Sequence, residues 1–284
     1  MRALIFGYGY LGEAFAGRLR AEGWLVSATA REAEKRDTLA AAGVDAVDPS
    51  DAEALGAAVD AADAILITAP PQPRGCPALA ALATALKAAQ RKPHWIGYIS
   101  STSVYGDRGG KWVRETSALN APTVEGARRA AAERDWLSVG RRLGLTVVLF
   151  RLPAIYGPGR TPFDKLLDGT ARVVRKPGQV FNRIHRDDAV AALFASLAKP
   201  RAGGIYNVTD DEPAGADAYV EHAAKLLEMP SPLEIDWTDP EVSAGMRRFY
   251  LDNKRVSSAR AKAELGWRPR YASWREGLAA LKPC

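Results

Sequence analysis

The sequence predicts an α/β protein: a doubly wound parallel sheet with helices on both faces, followed by a smaller α+β C-terminal lobe. Three observations predict it. Short β-branched or aliphatic runs alternate with Ala-rich amphipathic stretches through the first 150 residues. A glycine-rich turn, Gly7-Tyr8-Gly9-Tyr10-Leu11-Gly12, falls between the first such run and the first such stretch. Beyond Tyr156-Gly157-Pro158-Gly159 the rhythm breaks, with Pro162, Pro177, Pro200, Pro213, Pro230, Pro232, Pro240 and Pro269 interrupting shorter elements.

Taken in order, Leu4-Ile5-Phe6 reads as a strand leading into a helix from about Tyr10 to Glu22. Trp24-Leu25-Val26 precedes a helix near Glu32 to Ala42, and Ala64-Ile65-Leu66-Ile67 precedes one near Ala78 to Gln90. Trp95 to Ser100 is a fourth strand; a long helical stretch from Glu125 to Leu143 then feeds the strand Thr146 to Phe150. Apolar strands of this kind need cover on both faces, and right-handed crossovers supply it. In the C-terminal part Asp187 to Leu197 reads as a helix, Gly204 to Val208 as a strand and Ala216 to Leu227 as a helix. These readings divide the chain into residues 1–156 and 157–284, the second part interleaved with the sheet rather than independent, the two sharing a cleft.

Composition narrows the function. Thirty-nine Lys and Arg against thirty-three Asp and Glu give a net charge of +6 over 284 residues. That excess is dispersed and comes without a zinc-finger, helix-turn-helix or RNA-binding signature, so no nucleic-acid partner is expected. No stretch approaches the roughly 18 apolar residues of a membrane span, and the opening apolar run is too short for a secretory segment. A cytoplasmic protein, monomeric or homodimeric, is the expectation. The two cysteines, Cys76 and Cys284, and three scattered histidines have neither disulfide nor metal-ligand spacing, so no metal is expected.

The glycine turn carries the first chemistry. Gly7 permits a tight turn, Gly9 lets backbone approach a pyrophosphate, and Gly12 lets helix and strand pack closely while the helix N-terminus, with Tyr10 and Leu11, faces the anion. An acidic residue about 20 positions on would accept ribose hydroxyls; here that distance lands on Arg31, with Lys35 and Arg36 nearby. A guanidinium there suits a 2′-phosphate, so NADP is expected in preference to NAD. The alternative is that Arg31 simply opens a helix in solvent.

Further blocks resemble a family. Tyr98 to Asp107, Arg151 to Gly159, Arg183 to Asp188, Ile205 to Pro213 and Ala263 to Pro269 follow the glycine turn in family order. Together they are similar to the extended and atypical short-chain dehydrogenases/reductases, the NAD-dependent epimerase/dehydratase group, across nearly the whole chain. The resemblance implies a Rossmann fold that binds NAD(P), with Ala69 and Ser100 joining the cofactor residues. It also implies hydride transfer to or from a small carbonyl or hydroxyl substrate. In that scheme Ser101 orients the reacting group and Tyr105 contacts substrate, while a Tyr moves the proton and a Lys four residues on lowers the Tyr pKa. Aligned back from Glu133, those two positions hold Glu125 and Arg129.

That exchange alters the chemistry. A Tyr near pKa 10 lowered by a cation both donates and accepts near neutrality, whereas Glu near 4.3 is normally ionised, and a neighbouring cation keeps it so. Glu125 and Arg129 also have the spacing of a plain helical i, i+4 ion pair. Two functions stay open: an oxidoreductase or epimerase-like enzyme using Ser101 with an unorthodox acid, and a catalytically inactive NADP(H)-binding sensor or scaffold. His185, leading into Asp187-Asp188, is expected to cap or pack rather than catalyse. Arg160, Arg183 and Arg247-Arg248 suggest an anionic substrate held chiefly by Arg183, with solvated surface charge as the alternative.

Overall fold

The computed structural model describes residues 1–283. In chain order the elements are β1 (Arg2–Phe6), α1 (Tyr10–Ala21), β2 (Leu25–Thr29), α2 (Ala33–Ala41), β3 (Asp45–Val47), α3 (Ala52–Ala61), β4 (Ala64–Ile67), α4 (Pro77–Ala88) and β5 (Trp95–Ser101). A 3₁₀ turn (Thr102–Tyr105) precedes β6 (Trp112–Val113), α5 (Val124–Leu143), β7 (Val147–Leu152), β8 (Ala154–Tyr156), α6 (Phe163–Leu167), β9 (Val173–Arg175) and β10 (Arg183–His185). The chain closes with α7 (Arg186–Ala198), β11 (Gly204–Asn207), α8 (Ala216–Leu226), β12 (Glu234–Asp236), α9 (Ala244–Phe249), β13 (Arg255–Val256), α10 (Ala259–Leu265) and α11 (Trp274–Ala280).

Two compact units result, each from discontinuous stretches: residues 1–101, 127–151 and 192–206 form the first, and 102–126, 152–191 and 207–284 the second. The first is a seven-stranded sheet in the order β3-β2-β1-β4-β5-β7-β11. Its β3-β2-β1-β4-β5 portion runs parallel, with Leu4 opposite Ser27 and Ile65, and Leu66 opposite Gly97. That is the predicted doubly wound sheet, reversing direction beside β1.

Alternation along the strands sends side chains to two cores. Leu4, Phe6, Ile65, Ile67, Ile96, Tyr98, Val147 and Leu149 pack against Leu55 and Val59 of α3, Leu82 and Leu86 of α4, and Trp136 and Val139 of α5. On the opposite face Trp95, Phe150 and Tyr206 stack in sequence with Phe15 of α1 and Phe194 of α7. The Trp95 indole donates to Ser196 Oγ at 3.0 Å and lies where a Cβ at position 97 would sit, so the strand needs Gly97. Burying each such large side chain contributes roughly 1.5–3 kcal/mol.

The strands and helices read from the sequence start or end within two or three residues of those observed; β3 and α3 are additions in the first unit, and the short elements β6, β8, β9, β10, β12, β13, α6, α9, α10 and α11 are additions in the second. The three residues of β3 are too few to show a period, but α3 has a legible start: Asp51 accepts from the Glu53 and Ala54 amides at 3.0 Å.

The second unit is built from short parallel pairs, β10 with β8, β12 with β9 and β13 with β6. Its core joins Tyr156, Phe163, Leu166, Ala223, Ala224, Trp274 and Leu278. Asp188 ties the C-terminal segment down by accepting from the Arg270 and Tyr271 amides at 2.6 and 3.1 Å. Among the described residues no helix is long and apolar enough to cross a membrane, and no cluster of His, Cys, Asp or Glu is placed to hold a metal ion.

Candidate functional site

The turn after β1 is fixed from three sides. Gly7 has φ +98°, and a Cβ there would lie 2.9 Å from the Ala69 amide nitrogen just past β4. Its own N–H donates to Thr29 Oγ1 at 3.1 Å, and Thr68 Oγ1 donates to its carbonyl. Gly12 is equally constrained, since a Cβ would come within 2.8 Å of the Gly7 oxygen. Gly9 differs: it is the N-cap of α1 with φ −105°, and nothing lies within 4 Å of where its Cβ would be. Gly9 contributes no side-chain cap to α1. The helix therefore presents its first backbone amides and positive dipole end behind a glycine, the arrangement that binds a phosphate. Leu11 is buried beneath the turn and Tyr10 half-buried beside it.

Past β2, Ala30 is held by its amide donating to Val47 O at 3.0 Å. Arg36 Nη1 donates to the carbonyls of Arg31 at 2.6 Å and Ala30 at 3.2 Å, and forms an ion pair with Asp48 at 3.1 Å. Asp48 also accepts from the Ser50 hydroxyl and amide. Those bonds, with Arg36 adding less, hold its carboxyl below the usual range. Arg31 is exposed, and no described residue takes up its guanidinium.

Beneath the C-terminal end of β5 lies a buried polar network. Ser100 Oγ donates to Glu133 at 2.5 Å, and Glu133 forms an ion pair with Arg151 at 2.7 Å, both charged side chains 3% exposed. Arg151 Nε supplies further bonds to the same carboxylate at 3.0 and 3.3 Å. Arg129 donates to the Ile99 carbonyl at 2.7 Å, one residue before Ser100. Ser101, half-buried, ends the strand. The network was missed in the sequence, although Arg151 inside the apolar run Val-Val-Leu-Phe-Arg-Leu signals that an acid must meet it.

In the second unit Glu125 opens α5, its first turn capped by Thr123 Oγ1 accepting from the Gly126 amide at 3.1 Å. The Glu125 side chain is 63% exposed and pairs with Arg248 at 3.3 Å. This corrects the expected i, i+4 pair: Glu125 turns to Arg248 while Arg129 turns to a strand carbonyl. Tyr105 is fully buried, its hydroxyl donating to Asn207 Oδ1 at 2.7 Å. Arg183 is 6% exposed; its guanidinium donates to the carbonyls of Ala214 at 3.1 Å, Gly215 at 3.3 Å and Phe181 at 3.4 Å, and lies 4.3 Å over the Tyr219 ring. Burial works against its charge.

Around Arg183, several buried polar atoms lack a protein partner: Tyr156 Oη, His185 Nε2, Trp274 Nε1 and Asp210 Oδ2. Desolvation pushes the Asp210 carboxyl up to about 8, against the pull of the Glu212 amide and Arg183, and raises the Tyr156 phenol. His185 does cap: its Nδ1 accepts from the Asp187 amide at 3.2 Å, and burial lowers its pKa.

A parallel sheet reversing beside a glycine-bounded phosphate turn defines a dinucleotide-binding α/β class. Within that class the chain belongs to the NAD dependent epimerase/dehydratase family, which it matches over residues 3–209. It is similar in structure to a conserved protein of unknown function from Silicibacter pomeroyi DSS (39% identity, TM-score 0.91, covering 99% of this chain and 97% of that one). In sequence it is similar to Protein YeeZ of Escherichia coli K12, 30% identical over 244 residues, covering 81% of this chain and 85% of that protein. It is also similar to a 3-diazoavenalumate denitrifying reductase from a Streptomyces species, 30% identical over 311 aligned positions, covering 98% of this chain and 99% of that protein.

Proposed function

We propose that the protein is an NADP(H)-dependent oxidoreductase acting on a small molecule, with the first unit holding the dinucleotide. The observation that carries this reading is the start of α1: a helix N-terminus behind Gly9, where a side chain would find nothing within 4 Å. Gly7 and Gly12 hold the turn in shape, and the amides of the first helical turn bind the pyrophosphate. Arg31 takes the 2′-phosphate, which favours NADP over NAD. The bound cofactor supplies a hydride donor or acceptor. Ser101 orients the reacting carbonyl or hydroxyl by a hydrogen bond, and Arg129 fixes α5 against the Ile99 peptide at the end of β5. Glu125 takes the role of proton-holding group that the family gives to a tyrosine. Tyr105 and Arg183 are the substrate contacts of this reading.

One observation favours a second reading. Glu125 is exposed and already paired with Arg248, an engaged side chain rather than an acid free to serve a substrate. A sensor or scaffold that binds NADP(H) without turnover needs no such acid. Neither does an acceptor that is itself a strong electrophile. The similar Streptomyces protein is named for reduction of a diazo compound, and replacing a diazonium group by hydride releases N₂ without consuming a proton.

Calorimetric titration of the full chain with NADPH and NADH tests the binding half, with tighter NADPH binding expected and equal affinity overturning the NADP assignment. Turnover of NADPH with ketones, aldehydes and a carboxylated arenediazonium then separates the two readings. Carbonyl reduction that falls in Ser101→Ala and Glu125→Gln supports the first. Consumption of the diazonium alone, unaffected by Glu125→Gln, keeps the oxidoreductase but removes Glu125 from its chemistry, and no turnover at all supports the sensor or scaffold.

A further inference from the structure

We propose that Arg36 is a positioning residue for cofactor discrimination, fixing the backbone that carries Arg31 and masking the negative charge of Asp48 beside it. The inference rests on the NADP(H) reading above and deepens it by saying how the same site tells the two dinucleotides apart.

Arg31 sits in the two-residue turn, Ala30-Arg31, between Thr29 at the end of β2 and Glu32, the N-cap of α2. A long cation on a free turn would discriminate poorly, because its position would be averaged over many backbone states. This turn is not free. Thr29 is tied to the glycine turn through the Gly7 amide at 3.1 Å, and Ala30 to β3 through Val47 O at 3.0 Å. The remaining peptides are held by one guanidinium nitrogen: Arg36 Nη1 donates to Ala30 O at 3.2 Å and Arg31 O at 2.6 Å. Each tie lies within the first unit, so the Cα of Arg31 is set relative to the phosphate turn.

The same nitrogen meets Asp48 Oδ2 at 3.1 Å. Asp48 is kept ionised chiefly by its Ser50 bonds, and an unmasked carboxylate there would repel a 2′-phosphate. With its Nη1 shared among two carbonyls and a carboxylate, Arg36 is committed to the loop rather than offered to the ligand. Arg31, exposed and unengaged, is the cation left to make the phosphate contact.

The test is a double-mutant cycle read by isothermal titration of the full chain with NADPH and with NADH, in wild type, Arg31→Ala, Arg36→Ala, Arg36→Lys and Arg31→Ala/Arg36→Ala. Positioning predicts that Arg36→Ala weakens NADPH by about five- to twentyfold while leaving NADH within about twofold. Arg36→Lys, whose ammonium can still reach a carbonyl, recovers part of the loss. In the Arg31→Ala background the Arg36 substitution then costs NADPH clearly less than in the wild type, because the part of its effect that acts through Arg31 is already lost and only the unmasking of Asp48 remains. Equal weakening of both dinucleotides would mean that Arg36 only holds the loop, and would overturn the proposal. Additive losses in the double variant would make Arg36 a direct phosphate ligand and overturn it too. Wild-type protein with no NADPH preference removes the underlying reading along with this one. A preference abolished by Arg31→Ala yet untouched by Arg36→Ala removes only the role of Arg36.

Discussion

Helices α1 and α5 both begin close behind a structural turn, and their first turns are built in opposite ways. At α1 the N-cap is Gly9, which supplies no side-chain cap and has nothing within 4 Å of its Cβ position. At α5 Thr123 caps the first turn, and Glu125 faces solvent in a pair with Arg248. The first helix start offers backbone amides and a positive dipole end behind a glycine, features that suit an anion. The second is already complete, and what anchors it lies one to two turns deeper, where Arg129 meets the Ile99 carbonyl and Glu133 meets Ser100 and Arg151. Function is expected where a glycine gives a ligand access to backbone, and stability where buried side chains meet one another.

The largest effect should come from breaking the deep anchor. Glu133→Ala strands Arg151 in a site that is 3% exposed, and about 3–5 kcal/mol of unfolding free energy should disappear in a denaturant titration. Replacing both partners with apolar residues of similar volume should recover much of that loss. A change below about 1 kcal/mol for the single variant would mean that α5 is held by its apolar face alone.

Next comes a pH effect in the second unit. The Asp210 carboxyl is raised to about 8 in the folded protein from a reference value of 3.8, so the folded state holds a proton that the unfolded state has released. The stability this group contributes is fully present below about pH 4 and is lost as pH rises towards 8, with a slope of at most about 1.4 kcal/mol per pH unit. Asp210→Asn should flatten the stability profile over that window. A wild-type profile that rises through the window, unchanged by the substitution, would show that Asp210 is solvated or paired in the folded state.

Arg183 distinguishes a structural cation from a substrate anchor. Its bonds to three carbonyls and its stacking on Tyr219 imply that Arg183→Met costs roughly 1–3 kcal/mol of stability. If it also holds a substrate anion, KM for that substrate should rise at a temperature where the variant is still folded. An altered melting temperature with unchanged KM would leave it a purely structural role. The smallest stability effect belongs to Glu125→Gln: its exposed pair with Arg248 is worth about 0–1 kcal/mol. Any large loss of turnover in that variant would therefore report chemistry rather than folding.

How much of this the sequence displays follows from where the information sits. The sheet and the glycine turn are legible because they depend on local patterns, apolar runs alternating with amphipathic stretches and three glycines at fixed spacing. The Glu133–Arg151 pair joins positions 18 apart on different elements, so only the anomaly of an arginine in a buried strand announces it. The partner of Glu125 lies 123 residues away, which is why the sequence suggests Arg129 instead. Asp210 reads as one of three consecutive acids, Asp210-Asp211-Glu212; its burial distinguishes it, and burial is decided by the packing of distant aromatics such as Tyr156 and Trp274.

The contrast between the two helix starts comes down to Gly9, and substituting it measures the account directly. Gly9 has an ordinary negative φ and nothing within 4 Å of its Cβ position, so Gly9→Val should leave the melting temperature of the ligand-free protein within about 2 °C of wild type. The same side chain would occupy the space where a pyrophosphate must approach the α1 amides, and NADPH affinity measured by calorimetry should fall by at least about thirtyfold. A Gly9→Val variant that melts normally and still binds NADPH as tightly as wild type would contradict the assignment of this turn as the dinucleotide site.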